Sequence, residues 1–440
     1  MNRKYDVLII GTGVAGLFTA CNLKDDLKVL MITKNKLRDC NSYLAQGGIS
    51  TLRNIQDKEA FIEDTLKAGN YKNEIEAVTQ IVENSTDIIN RLLKLGVEFD
   101  KDFHELNYTR EGGHSKFRIV HSKDETGKEV VNKLIDHVTK KDNITILEEA
   151  TLLDIIQYKN KCIGGIIEHC GEIITINAKA TVLATGGIGG IFNSTTNVET
   201  ITGDGLSIAL KHNIPMKDIS YLQLHPTVLY EENIKGRKLL LSESLRGEGG
   251  VIRSISGEKF VNPLLPRDIV SGEILKEINS TPETPYVFLD MTNKSKEFLT
   301  NRFPYIYGEC LKRGYKMEED LLPIAPAHHY CMGGIKVDLY SRTSMKNLYA
   351  IGEVSCTGVH GNNRLASNSL LEALVFSTKA AEDINLVVYE TGDKLSGELV
   401  EKINRKGIKG VKNINKEYKY KFISYLKRKV NGEYVKLFNC

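Results

Sequence analysis

The stretch that most restricts the fold is residues 5–33, YDVLIIGTGVAGLFTACNLKDDLKVLMIT. Tyr5 to Ile10 is a short apolar run suited to a buried parallel strand, and Gly11, Gly13 and Gly16 follow as GxGxxG. Leu17, Ala20 and Leu23 then recur at helical spacing, and Val29 to Ile32 reads as a second strand, so the unit is βαβ. A turn of this kind lets the backbone approach a pyrophosphate, whose charge sits at the helix N-terminus. The reading is a dinucleotide site; the alternative is a glycine-rich turn before a core helix.

Which dinucleotide depends on a missing acid. NAD sites carry an acidic ribose clamp at the end of the second strand, whereas this chain reads ITKNK there, with Thr33 and Lys34. Two distant stretches favour FAD. ATVLATGGIGGIF (180–192) is a strand running into glycines, and TSMKNLYAIGEV (343–354) is a strand ending in Gly352 and Glu353. Both resemble flavoprotein motifs, the second being the late strand whose terminal acid holds the ribityl chain. A βαβ unit completed so late in the chain implies a discontinuous domain.

Residues 74–95 place Ile75, Val78, Val82, Ile89, Leu92 and Leu93 at helical spacing, stopped by Gly96. Between Ile144 and Leu183, several short β-rich runs form a β-meander. The expected fold class is α/β: a discontinuous Rossmann-like FAD-binding domain with an inserted α+β capping domain and a short helical C-terminal tail. The expected boundaries are 1–218 and 330–390 for the two parts of the FAD-binding domain. Residues 219–329, which hold most of the prolines, are the cap, and the Lys- and Asn-rich residues 391–440 are the tail.

Composition excludes several classes. The formal charge is +3, from 59 Lys+Arg against 56 Asp+Glu, and the basic residues are spread along the chain. That leaves no electrostatic footprint for nucleic acid. The eight cysteines form no CxxC pair and no Cys/His cluster, so no metal site is expected, and free thiols in a reducing cytoplasm are the simplest reading. No run approaches the ~20 apolar residues that cross a bilayer, nor a signal-peptide core. A cytoplasmic protein without a membrane span is expected.

Together the motifs resemble the succinate dehydrogenase, fumarate reductase and L-aspartate oxidase family of flavoproteins. The resemblance rests on NSYLAQGGI (41–49), TREGGHS (109–115), TGDG (202–205), LHPTVLY (224–230) and LLSESLRGEGG (241–250). PRDIV (266–270), APAHHYCMGGI (325–335) and IGEVSCTGVHGNNRLASNSLLEAL (351–374) complete it, in family order. Two positions resemble the aspartate oxidase branch. Membrane-complex members usually begin the NSYLAQGG block with a histidine that attaches FAD covalently; Asn41 stands here, which implies non-covalent FAD. Glu111 is an acid where succinate dehydrogenases generally have none, and their substrate differs from aspartate by one ammonium group. A buried ammonium needs a charged partner, so Glu111 is read as the group that recognises it; a solvated loop acid is the alternative.

The resemblance implies substrate contacts at His225, Ser242, Glu243, His329, Arg364 and Ser367, with the carboxylates held by Arg364 and the two histidines. His328 is read as packed. Arg267 is assigned to proton transfer, with nearby cations easing proton release; the alternative is a surface pair with Asp268. Implied FAD contacts are Thr12, Gly13, Val14, Ala15, Lys34, Asn41, Ser42, Tyr43, Leu44, Ala45, Gln46, Gly47, Gly48, Asp204, Glu353, Ser369 and Leu370. The implied reaction takes L-aspartate to iminoaspartate, passing electrons to oxygen or fumarate, with quinolinate synthase as pathway partner in NAD biosynthesis. The rival readings are a soluble fumarate reductase or succinate dehydrogenase-type flavoprotein, and a flavin carrier without turnover. Longer relatives continue into a larger helical C-terminal domain, so the packing of this tail cannot be carried over.

Overall fold

The computed structural model describes residues 2–390, 405 and 410–430; the rest of the expected tail lies outside the described residues. The glycine-rich unit forms as its pattern dictates. Strand Asn2–Ile10 runs into helix Val14–Asn22 and back through strand Val29–Ile32, with Val7, Leu8 and Ile9 fully buried. Gly11 stands at φ +111°, and a Cβ on it would lie 2.1 Å from the Ala184 carbonyl oxygen, so no side chain fits where the two glycine turns meet.

The main sheet runs in the order Ile144–Leu147, Val29–Ile32, Asn2–Ile10, Glu172–Leu183, Lys161–His169, Ala150–Tyr158, with Leu348–Ala350 also paired to Glu172–Leu183. Glu172–Leu183 is 12 residues long and belongs to two patterns. Its first half pairs antiparallel with Lys161–His169, and its last three residues pair parallel with Leu348–Ala350. The meander and the Rossmann-like layer are therefore one sheet. The late strand is shorter than its sequence suggests: it ends at Ala350, and Gly352–Val354 is a 3-10 turn that starts at φ +70°. Helix Ile75–Lys94 and the long helix Asn368–Glu390 cover this layer, the second packing on Val14–Asn22.

A second sheet contains Gly236–Arg237, Ser194–Thr195, Leu322–Cys331, Val287–Asp290 and Val251–Arg253, with Leu222–Leu229 paired to Leu322–Cys331. Helices Arg267–Ser280, Lys296–Arg302 and Pro304–Lys312 bury Val270, Ile274, Leu299 and Ile306 against it, together with Phe303 at the junction of the last two, giving this layer its own core. The sheet draws in Ser194–Thr195 from before residue 219, and its strand Leu322–Cys331 carries on past residue 329.

Helix Val411–Lys429 lies on the first layer, where Phe422 and Leu426 are buried with Leu206, Ile208 and Ile188. Among the described residues no helix is long and apolar enough to cross a membrane, and no His/Cys/Asp/Glu group could hold a metal ion.

Candidate active site

One cavity runs from the glycine-rich turn to the second sheet. Every residue assigned from the sequence to catalysis, substrate or FAD lines it except Val14 and Tyr43. Val14 is fully buried and its backbone N–H donates to Ser42 Oγ at 3.1 Å, while Tyr43 packs on the main core.

The turn end suits a dinucleotide. Helix Val14–Asn22 starts at Gly13, which has no side chain to cap it; Ser42 Oγ takes the Val14 N–H, and the helix N-terminus otherwise faces the cavity at Gly13 and Ala15. Where the acid of NAD sites is missing, Lys34 Nζ donates to the Thr200 carbonyl (3.0 Å), Thr202 Oγ1 (2.9 Å) and Asp204 Oδ2 (3.0 Å). The acid is thus supplied from elsewhere in the chain. Asn41 accepts from the Val198 N–H at 3.0 Å and donates to Asn197 Oδ1 at 2.5 Å. Glu353 accepts from the Cys331 N–H at 3.0 Å, and burial pushes its pKa up to about 7. A helix N-terminus facing the cavity, a glycine turn without room for side chains and a buried acid on the cavity wall fit FAD.

The other end is built for charge. Arg364 is buried, donates to Ser369 Oγ at 3.1 Å and stacks 4.6 Å from the Tyr330 ring centroid. Burial, with Arg267 nearby, lowers its pKa to about 10, so it remains a cation at neutral pH. Among the described residues no carboxylate forms an ion pair with it, and its Nε has no partner. His225 and His329 face one another with ring centroids 5.0 Å apart. Burial and then the Arg267 charge hold both well below the usual histidine range, so both are neutral. The Thr227 N–H donates to His225 Nδ1 at 3.3 Å, which leaves the proton on Nε2, a buried donor without a partner. Ser242 Oγ is a further buried, unpartnered hydroxyl on this wall. His329 Nδ1 meets Thr196 Oγ1 at 2.7 Å, while His328 stacks on Phe192 at 4.0 Å away from the cavity lining.

Glu111 is only 3% exposed, so it is not a solvated loop acid. Its two oxygens accept from Ser244 Oγ (2.8 Å) and Ser367 Oγ (2.7 Å), and among the described residues it has no cationic partner within ion-pair distance. Arg267 is buried too: Nε donates to Glu243 Oε2 at 2.7 Å and Nη1 to Gln223 Oε1 at 3.1 Å. Asp268 accepts instead from Asn363, so the surface pair does not form. Burial disfavours the charge of Glu243, but Arg246 at 2.5 Å and Arg267 outweigh it and hold its carboxyl below the usual range. The expectation of cationic neighbours around Arg267 is therefore half the picture, because a carboxylate touches it directly.

Sequence reasoning passed over Gln223, Ser244, Arg246 and Tyr330. Gln223 donates to Asn363 Oδ1 (2.8 Å) and to the Arg364 carbonyl (2.9 Å), tying the Arg267 and Arg364 segments together. Signals for two of them were present: Gln223 stands two residues before His225 in one strand, and Arg246 lies three after Glu243 in one helix.

Residues 6–370 match the family described as an FAD binding domain. The chain is 54% identical to the L-aspartate oxidase of Clostridium acetobutylicum, over 88% of this chain and 89% of that one. It is 51% identical to that of Clostridium perfringens, over 88% of each. Among solved structures, a mutant E. coli quinol fumarate reductase superposes with a TM-score of 0.86 at 26% identity, over 98% of this chain and 82% of that one. With such a cavity and such relatives, this chain belongs to the L-aspartate oxidase family of FAD-dependent flavoproteins.

Proposed function

We propose that this protein oxidises L-aspartate to iminoaspartate. The observation that carries this is the presence in one cavity of groups of both signs that lack a direct ion-pair partner among the described residues: the cation Arg364 and the carboxylate Glu111. An unpaired buried ion is costly, and an amino dicarboxylate satisfies both. Arg364 takes a carboxylate, with the neutral donors His225 Nε2, His329 and Ser242 orienting it. Glu111, fixed by Ser244 and Ser367, takes the ammonium.

FAD held non-covalently along Gly13, Lys34, Asp204 and Glu353 would supply the acceptor for the hydride equivalent leaving the substrate and the route for its electrons to oxygen or fumarate. Arg267 removes the proton released as the ammonium becomes an imine. Glu243, 2.7 Å from Arg267 Nε and 2.5 Å from Arg246, carries that proton onward by taking one from Arg267 as Arg267 takes the substrate's. Burial of Arg267, Glu243 and Arg364 keeps water from the reacting atoms. The carboxylate contacts, without Glu111, also bind fumarate, which makes it both acceptor and competitor.

Residues 1–218 and 330–390 are read as the FAD-binding domain and 219–329 as its cap. The setting is the cytoplasm. Iminoaspartate hydrolyses readily, so a quinolinate synthase consuming it toward NAD is the pathway partner. The test is anaerobic stopped-flow absorbance of the FAD-loaded protein mixed separately with L-aspartate and succinate. Bleaching at about 450 nm, where oxidised flavins absorb, is expected with aspartate; bleaching with succinate alone would place the chain among dicarboxylate dehydrogenases.

A further inference from the structure

We propose that Lys419, on the C-terminal helix Val411–Lys429, is a positioning residue for the nucleotide half of FAD, acting through Asp204. Lys419 Nζ lies 2.5 Å from Asp204 Oδ1. Asp204 lines the cofactor cavity and opens helix Asp204–Lys211. Its other oxygen is held by Lys34, two residues past the end of the second strand of the βαβ unit, where ribose recognition takes place in this kind of fold. Two lysines from opposite ends of the chain therefore fix one carboxylate at that place.

The docking of the helix makes the contact specific. Phe422 packs on Gly203, which stands at φ +73° immediately before Asp204; a Cβ there would lie 3.0 Å from the Phe422 ring. Phe422 and Leu426 are buried at 1% and 0% exposure, and Asn415 donates to the Leu153 carbonyl at 2.7 Å. One face of the helix thus supports the backbone at residue 203 while Lys419 holds the side chain at 204. Burial opposes the charge on Asp204, and Lys34 and Lys419 together overcome it. Without Lys419 the cluster would be a neutral Lys34–Asp204 pair. With it, the cluster carries one net positive charge at the end of the cavity that takes the phosphates.

The consequence is selective. Lys419 should govern affinity for the adenosine and phosphate parts of the cofactor and leave the flavin ring alone, whose end of the cavity is lined by Glu111, Arg364 and His329. The experiment titrates the full-length apo-protein with FAD, ADP and riboflavin, following flavin fluorescence for the first and third and heat for ADP. K419M and K419Q should weaken FAD and ADP by the same factor, roughly five- to thirtyfold, as for loss of a partly buried ion pair. Riboflavin binding should not change, and K419R should restore most of the affinity. K421M is the control, since Lys421 is exposed on the same helix and pairs with Glu417. Unchanged FAD and ADP affinity in K419M and K419Q would overturn the proposal. So would equal weakening of riboflavin, or the same losses in K421M, because the helix would then act only through general stability.

Discussion

Ser367 donates its hydroxyl to Glu111 Oε2 across 2.7 Å while its own backbone stands at φ +61°, a conformation uncommon for a residue with a side chain. That hydroxyl also accepts from the Gly48 N–H at 3.2 Å. The carboxylate is therefore fixed by neutral hydroxyls, with no direct cationic partner among the described residues.

Glu111→Gln keeps the shape and removes the charge. The expected result is a fall in kcat/KM for L-aspartate of roughly 10²- to 10³-fold, the loss of one buried ion pair. Fumarate reduction by the same variant should stay within about threefold of the parent, a margin small against that loss. Equal losses for both substrates would show that Glu111 does not recognise the amino group.

Arg267→Leu should purify yellow, with FAD bound, yet turn over roughly 10²- to 10⁴-fold more slowly, the usual range for a lost acid–base group. Single-turnover absorbance separates the two properties. Substantial retained turnover would take Arg267 out of the proton path.

The contribution of Glu353 to the stability of the apo-protein should fall as pH rises from about 4.5 to about 7. Glu353 has its folded pKa raised by burial from 4.5 to about 7, so the folded state binds more protons than the unfolded state across that window. Its contribution is greatest below pH 4.5 and is lost by pH 7. Glu353→Gln removes this dependence, and its advantage over the parent should grow by on the order of 3 kcal/mol across the window. Urea titrations at pH 4.5, 6 and 7.5 measure it; parallel pH profiles for both proteins would contradict the assignment.

Phe422→Ala removes a ring buried in the first layer's core. A loss of about 3–5 kcal/mol is expected from the cavity it leaves, read from the urea midpoint of the apo-protein. A loss below about 1 kcal/mol would mean that the C-terminal helix is not docked in solution.

Much of this was legible in the chain because it depends on neighbours in sequence. The βαβ unit, the helix at 75–94 and the meander each follow from local periodicity, since burial of one face imposes period 2 or 3.6 on contiguous residues. Ordered motifs identified the family resemblance and the residues placed around the cavity. Pairings between distant segments left no such trace. That Asp204 stands beside Lys34, in place of the acid missing from the second strand, depends on how a helix from residue 204 meets a strand ending at residue 32. That Glu111 and Arg364 remain unpaired, that Arg267 rests against Glu243, and that Lys419 reaches the cofactor cavity are likewise results of packing. Local sequence determined which elements form and which groups carry the chemistry. Tertiary structure decided which charges neutralise one another and which remain for a ligand, because Coulomb energy and desolvation depend on distance and burial in three dimensions.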